Sequence, residues 1–182
     1  MRVVLIGAPG AGKGTQGVEL AKRLGVAYLA TGDVLRDHVE RGTDLGRRVA
    51  EYLDRGELVP DDVVVDVVCD HLAPLADDGG YVLDGFPRTV AQAQAAEELL
   101  PGGLADVVVY LDLPDDVARE RLDQRDDGRS DDDEDTIDHR LEVFHAETEP
   151  LVGFYEDRGQ LRRVDADQPP TAVLAAIEAV LS

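Results

Sequence analysis

Residues 3–15 read VVLIGAPGAGKGT, four apolar residues followed by a glycine-rich turn that contains one lysine. The residues that follow, through Leu24, have the apolar spacing of a helix. A strand, a glycine loop and a helix in this order let backbone N–H groups surround a phosphate, with the positive end of the helix dipole behind them. Lys13 supplies a compact positive charge to the same group. The stretch therefore predicts a nucleotide-phosphate loop at the end of a core strand.

The loop departs from the general pattern at one position that concerns the metal. Gly14 stands where most such loops have serine or threonine, and the hydroxyl comes one residue later, at Thr15. We therefore expect Mg²⁺ to be held mainly by nucleotide phosphates and water, since this ion gives up its water reluctantly. Asp84 closes an apolar run and is placed like the acidic residue beside such a loop. Its alternative role is that of a turn or helix-cap carboxylate.

The rest of the chain repeats the alternation of short apolar runs and helical stretches. The apolar runs at 27–29, 81–83, 107–111 and 161–164 are separated by segments of helical period. This alternation predicts a five-stranded parallel sheet with helices, an α/β fold. No internal repeat or linker divides the 182 residues, so we expect a single domain. The acidic stretch 126–135 predicts an exposed loop, either a functional lid or a solvated connection.

The composition limits the classes of partner that the protein can bind. The net charge is −21, with 39 acidic against 18 basic residues, and the two lysines are Lys13 and Lys22. Such a surface repels nucleic acid and anionic membranes, and no apolar run approaches the ~20 residues that cross a bilayer. We expect a cytoplasmic protein, and we hypothesise that its acidic surface is adapted to concentrated salt. The single cysteine, Cys69, permits no internal disulfide or thiolate zinc cluster and is expected to be buried.

Further motifs, in register with the loop, carry a resemblance to a known family. They are TGDVLR at 31–36, GELVPD at 56–61, DGFPRT at 84–89, RLDQR at 121–125, GRSDD at 128–132 and TIDHRL at 136–141. Their order and spacing resemble the adenylate kinases over nearly the whole chain. The resemblance implies a three-layer fold similar to the P-loop NTPases, with a parallel sheet between helices. It also implies a core at 1–29, 60–125 and 136–182, an AMP-binding flap at 30–59 and a short lid at 126–135. Some relatives have a longer lid that carries metal-binding side chains. This sequence resembles the short type, so no structural zinc is expected.

The resemblance assigns residues to each nucleotide. Those for ATP are Gly10, Ala11, Gly12, Lys13, Gly14, Thr15, Arg121, Arg125 and Gln168. Those for AMP are Thr31, Arg36, Glu57, Leu58, Val59, Gly85, Phe86, Pro87, Arg88, Gln92, Arg129 and Arg140. The catalytic set is Lys13, Arg88, Arg125, Arg129 and Arg140. By the same resemblance Asp131 and Asp132 orient the lid arginines. Asp84 and Asp33 are expected to act as orienting groups or, through water, as partners of Mg²⁺. A single arginine on a helix often forms only a surface ion pair. Because several arginines of so acidic a chain fall on these motifs together, they predict a positively charged cleft.

The implied reaction moves the γ-phosphoryl group of ATP to AMP and gives two ADP. It needs no general base, because a phosphate acceptor with a second pKa of about 6 is already largely deprotonated at neutral pH. A monomer that binds only small nucleotides is expected.

Two alternatives to this reaction remain open. A UMP/CMP kinase, or another nucleoside monophosphate kinase, shares the fold, although Thr31 and Gln92 match the adenine-specific members, where pyrimidine-preferring ones commonly have Ala and Asn. A non-catalytic nucleotide-binding module would keep only the loop. A GTPase-like switch is disfavoured, because neither lysine stands in an Asn-Lys-x-Asp motif.

Overall fold

The sheet consists of five parallel strands. A computed structural model describes residues 1–124 and 134–182. The strands are β1 (Arg2–Gly7), β2 (Ala27–Ala30), β3 (Tyr81–Asp84), β4 (Val107–Asp112) and β5 (Leu161–Asp165). They lie in the order β2-β3-β1-β4-β5, so β1 is central, and its Leu5 is in register with Asp84 on one side and Val109 on the other. The predicted five-stranded parallel sheet is confirmed.

Helices join the strands and continue to the end of the described chain. The helices up to β4 are α1 (Lys13–Leu24), α2 (Thr31–Glu40), α3 (Asp44–Asp54), α4 (Asp61–Asp77) and α5 (Val90–Leu99). Those after β4 are α6 (Asp115–Asp123), α7 (Glu134–Val143), a π-helical turn (Phe144–Thr148), α8 (Pro150–Glu156) and α9 (Pro170–Leu181). Helices α4 and α6 each begin directly after a proline, and α9 begins at Pro170, since proline is well suited to the first helical turn.

The helices form a layer on each face of the sheet. Connections between parallel strands are right-handed, so the step from β1 to β2 and the opposite step from β3 to β4 place α1 and α5 on different faces. Accordingly α1 packs on α9, whereas α5 packs on α4 and α8. This is the three-layer arrangement that the sequence predicted.

The core lies on both sides of the central strands. Val3, Val4, Val82 and Val108 have no exposed surface, which explains why β1, β3 and β4 are nearly continuous apolar runs rather than alternating ones. Cys69 is buried, as expected, and burial raises the pKa of its thiol to about 11. Within the described ranges, no helix has both the length and the apolar character needed to cross a bilayer.

The strand order determines where a ligand can bind. All five strands end at one edge of the sheet, and the chain leaves the adjacent strands β1 and β3 in opposite directions there. In open parallel sheets this change of direction opens a crevice beyond the carboxyl ends of the strands. The glycine loop follows β1 at this edge, α2 begins directly after β2, and Asp84 ends β3.

Candidate active site

A cleft of about 700 Å³ opens at this edge, a volume typical of ligand sites. Its walls come from the glycine loop, the ends of β2 and β3, the segment 56–59, α6, α7 and the loop between β5 and α9. Cationic side chains from five separate segments line it: Lys13, Arg36, Arg88, Arg121 and Arg140. The structure therefore brings together the described lysine and arginines that the sequence had assigned to phosphates.

The glycine loop has the backbone that phosphate binding requires. Gly10 and Gly12 have φ values of 85° and 87°, in the left-handed region that glycine alone adopts readily. Helix α1 begins at Lys13, directly behind them, so its unpaired N–H groups point toward the loop. The ammonium of Lys13 donates to the carbonyl oxygens of Gly7 at 2.7 Å and Ala8 at 2.9 Å, which holds the charge across the loop.

The loop is packed tightly against α6. A Cβ atom at Gly10 would lie 2.8 Å from the carbonyl oxygen of Ala118 and 3.2 Å from Cγ of Leu122. At Gly12, by contrast, a Cβ atom would meet nothing within 4 Å. Gly10 is therefore needed for both its φ angle and its close contact, whereas Gly12 is needed for its φ angle.

Asp84 lies beside the first turn of α1. Its Oδ2 accepts a hydrogen bond from the hydroxyl of Tyr28 at 3.2 Å and lies 3.9 Å from the position of a Cβ atom on Gly14. The ring of Tyr28 covers Gly17, where a Cβ atom would come within 2.5 Å of it. The sequence analysis did not identify Tyr28 as a site residue. Its position in the strand that leads into Thr31 places it near the site. Its partner Asp84, however, is 56 residues away in the sequence, so the hydrogen bond could not be predicted.

The carboxylates suit Mg²⁺ bound mainly through a nucleotide. Among residues 1–124 and 134–182 there is no group of three metal-ligating side chains. Asp84, at the edge of the phosphate loop, matches the single carboxylate that commonly accompanies phosphate oxygens and water around this ion. Asp33 also lines the cleft, but its Oδ1 pairs with the guanidinium of Arg36 at 2.5 Å. The residues therefore fit the ion, with Asp84 the better placed of the two.

Thr31, Arg36 and Arg88 surround the opposite part of the cleft. Thr31 begins α2 and is only 2% exposed, and its Oγ1 has no hydrogen-bond partner within the described chain. The guanidinium of Arg36 lies over Gly32, and Nε of Arg88 donates to the carbonyl oxygen of Gly85 at 3.1 Å. A buried hydroxyl without a partner beside two guanidinium groups indicates a site for a polar ligand that carries a phosphate.

Gln92 lines the same part of the cleft but is already bonded within the protein. Its Oε1 accepts from the backbone N–H of Arg88 and its Nε2 donates to Oδ1 of Asp61, both at 2.7 Å. The hydroxyl of Thr89 accepts from the N–H of Gln92 and caps α5. Sequence reasoning assigned Gln92 to the site and missed Asp61 and Thr89, because a helix-start acid and a helix cap have ordinary structural roles.

The segment before α4 meets the helix that carries Arg140. Glu57, Leu58 and Val59 line the cleft, as predicted. Gly56 has a φ of 67°, and a Cβ atom there would lie 2.6 Å from Cγ of Arg140 and 3.1 Å from Cγ2 of Thr136. The side chain of Arg140 is thus packed on this segment and also lines the cleft.

Arg121 lines the cleft and contacts the loop between β5 and α9. Its Nη2 donates to the carbonyl oxygen of Ala166 at 3.0 Å, which ties α6 to the loop between β5 and α9. Gln168, on this loop, lines the cleft, and its Nε2 donates to Oδ2 of Asp165 at 3.1 Å.

A few assigned residues do not appear in the cleft. Phe86 is 1% exposed and belongs to the hydrophobic core, while its neighbours Gly85 and Pro87 line the cleft. The remaining ones, at 125, 129, 131 and 132, lie outside the described residues: Arg125, Arg129, Asp131 and Asp132.

A family model described as adenylate kinase matches residues 5–160, and its range contains the glycine loop, the segment 56–59 and α7. The chain belongs to the adenylate kinase family. It is 48% identical to an adenylate kinase of Thermus thermophilus, with 98% of this chain and 96% of the relative covered. It is also 48% identical to an adenylate kinase of Thermobifida fusca, with 93% and 92% covered, and 43% identical to adenylate kinase 1 of a Synechocystis strain, with 97% and 94% covered.

Family membership fixes the reaction class. The chain is an ATP-dependent nucleoside monophosphate kinase, a phosphotransferase with a phosphate acceptor, and the short-lid interpretation fits these bacterial relatives. The family binds nucleotide substrates, and its phosphoryl transfer generally depends on Mg²⁺.

Proposed function

We propose that this chain catalyses the reversible reaction ATP + AMP = 2 ADP and thereby balances the adenine nucleotides. The observation that carries the proposal is the convergence of Lys13, Arg36, Arg88, Arg121 and Arg140 on one cleft, in a chain whose net charge is −21. The four phosphate groups of an ATP–AMP or ADP–ADP pair cannot be brought together without such a concentration of positive charge.

The cleft divides into two halves. The ATP phosphates lie against the glycine loop and Lys13, with the adenine toward Gln168. AMP lies against Thr31, Arg36, Arg88 and the segment 57–59. Arg140 lines the same cleft, and its stem packs on Gly56. In the proposed complex its guanidinium contacts the phosphates of both nucleotides.

Catalysis in this arrangement rests on positioning and charge. The acceptor phosphate of AMP is its own nucleophile, so the protein must hold its oxygen in line with the γ-phosphorus of ATP. Lys13, Arg88 and Arg140 then stabilise the negative charge that spreads over the equatorial oxygens during transfer. Arg125 and Arg129 are proposed to complete this set from the lid.

Mg²⁺, when bound with ATP, neutralises charge on the β- and γ-phosphates. Asp84 would hold it from the protein side, either directly or through water, with Asp33 as a more distant partner. The hydroxyl of Tyr28 fixes the carboxylate of Asp84 in this position.

Water must be kept away from the γ-phosphate, since it would otherwise accept the phosphoryl group. We propose that the flap 30–59 and the lid 126–135 close over the substrates, with the core at 1–29, 60–125 and 136–182. Asp131 and Asp132 would then orient the lid arginines. A monomer in the cytoplasm without structural zinc or nucleic-acid partners remains our prediction from the sequence.

Acceptor specificity separates this reaction from a UMP/CMP kinase. The buried hydroxyl of Thr31 and the buried amide of Gln92 together suit an adenine edge. The test is a coupled assay of ADP formation from ATP with AMP, UMP, CMP or GMP, in both low and molar salt. We expect AMP to be turned over fastest. A preference for UMP or CMP would replace the proposed substrate, and no turnover with any acceptor would indicate a binding module.

A further inference from the structure

The side-chain amide of Gln92 is held between two partners of opposite hydrogen-bonding character. The backbone N–H of Arg88 contacts Oε1, and the carboxylate of Asp61 contacts Nε2. A backbone N–H can only donate and a carboxylate can only accept. Turning the amide by 180° would set two donors against each other at one end and two acceptors at the other. The orientation of this amide is therefore fixed twice.

Asp61 is in turn held by the start of α5. The hydroxyl of Thr89, which accepts from the N–H of Gln92 at 3.1 Å, donates to Oδ2 of Asp61 at 3.4 Å. Each carboxylate oxygen of Asp61 thus receives one hydrogen bond from this turn. Because the side chain of Gln92 is only 2% exposed, water does not readily take the place of either contact.

The two contacts leave a defined part of the amide for a ligand. An amide oxygen has two lone pairs and an amide nitrogen has two protons, so each atom keeps one hydrogen-bonding position. Gln92 lines the cleft on the side of Thr31 and Arg88. The cleft therefore meets one acceptor and one donor in a fixed order.

That order distinguishes purines of the same size. A 6-aminopurine presents an amino donor beside a ring-nitrogen acceptor, whereas a 6-oxopurine presents a carbonyl acceptor beside an N–H donor. We propose that Asp61 is a positioning residue that, by fixing the Gln92 amide, selects 6-aminopurine over 6-oxopurine monophosphates at the acceptor site. This inference rests on the proposed function, since Gln92 meets a base only if a nucleoside monophosphate is the acceptor.

The neighbouring residue provides a matched control. Asp61 and Asp62 both lie in the first turn of α4, where a negative charge favours the positive end of the helix dipole. Asp62 is exposed and does not contact Gln92. Asp62→Asn therefore removes the same charge from the same helical turn and leaves the amide contact in place.

The experiment compares AMP with inosine 5′-monophosphate (IMP), a 6-oxopurine, as acceptors for ATP in the wild type, Asp61→Asn and Asp62→Asn. We expect the wild type to prefer AMP in kcat/KM by at least roughly 100-fold. An asparagine can face Gln92 with either its oxygen or its nitrogen, so Asp61→Asn should reduce this preference about 10-fold. The KM for AMP should rise, while kcat at saturating AMP should stay within about 3-fold. Asp62→Asn should match the wild type, and an equal preference in the two variants would overturn the proposal.

Two further measurements keep the inference testable if Asp61→Asn does not fold. Asp61→Glu keeps a group that only accepts, so it should retain the AMP preference even where its KM rises; a folded variant that turns over IMP as readily as AMP would overturn the proposal. A wild-type kcat/KM for IMP within about 10-fold of that for AMP would also overturn the proposal. Turnover of neither acceptor would refute the proposed function itself, whereas AMP turnover with an unchanged preference in Asp61→Asn refutes the positioning role alone.

Discussion

The glycine loop and the proposed base pocket of the acceptor site are built in different ways. The loop is the continuous segment 7–15, and its chemistry comes from backbone N–H groups, two left-handed glycines and one lysine. The proposed base pocket uses Thr31 and Gln92, with Asp61 holding the Gln92 amide, and each of the three residues lies near the start of a different helix. Binding phosphates requires several positive groups close together, whereas distinguishing bases requires hydrogen-bond donors and acceptors that point in a fixed direction. A side chain keeps a fixed direction only when other residues, brought beside it by the fold, hold it by hydrogen bonds.

Lys13→Ala should have the largest effect, since it removes the one ammonium from the loop. We expect turnover of ATP with AMP to fall by at least about 10³-fold, because this charge stabilises the transferring phosphoryl group. The circular dichroism spectrum and thermal midpoint should remain close to those of the wild type. Lys22→Ala, at the exposed end of α1, is the control and should retain activity. Activity of Lys13→Ala near the wild-type level would refute the assignment of the loop.

Gly10→Ala and Gly12→Ala should separate the two reasons for glycine in the loop. Both place a side chain at a positive φ, which costs about 1–2 kcal/mol. Gly10→Ala also forces a methyl group to 2.8 Å from the Ala118 carbonyl, adding roughly 1–3 kcal/mol of overpacking. Urea unfolding should therefore show the larger loss of stability for Gly10→Ala. Equal losses of stability in the two variants would mean that the contact with α6 does not restrict the residue at position 10.

Thr31→Val tests the base pocket without disturbing the loop. Valine has nearly the same shape, and the hydroxyl that it replaces is buried without a partner, so the free energy of unfolding should change by less than about 1 kcal/mol. The KM for AMP should rise about 5- to 10-fold as a hydrogen bond to the ligand is lost. The KM for ATP should stay near its wild-type value. A Thr31→Val enzyme with unchanged KM for both nucleotides would remove this hydroxyl from the pocket.

Salt should produce the smallest change in kinetics and should affect the two regions differently. Molar salt shortens the screening length to about 3 Å, so the attraction between the cleft and ATP should weaken and its KM should rise. The preference for AMP over IMP should remain constant, since it depends on the direction of hydrogen bonds.

Over the same range of salt the thermal midpoint should increase, because screening reduces self-repulsion in a chain of net charge −21. A flat or falling midpoint would refute the hypothesis of salt adaptation.

The parts of the fold that the sequence predicted are those with a local signal. The five apolar runs gave the five strands, and the turn from β1 into α1 gave the loop, because both depend on residues that are neighbours along the chain. Phe86 shows the limit of this approach: its motif was recognised, but the structure buries its side chain in the core while Gly85 and Pro87 line the cleft.

The sequence by itself determined the sheet, the glycine loop after β1, the family and the identity of about half of the residues that line the cleft. Apolar periodicity and glycine conformation carry that information within a few residues. The tertiary structure alone decided that Tyr28 holds Asp84 and that Asp61 holds Gln92, across 56 and 31 residues respectively. Hydrogen bonds between side chains are directional and short, so their partners become known only once strands and helices distant in the chain meet at one edge of the sheet.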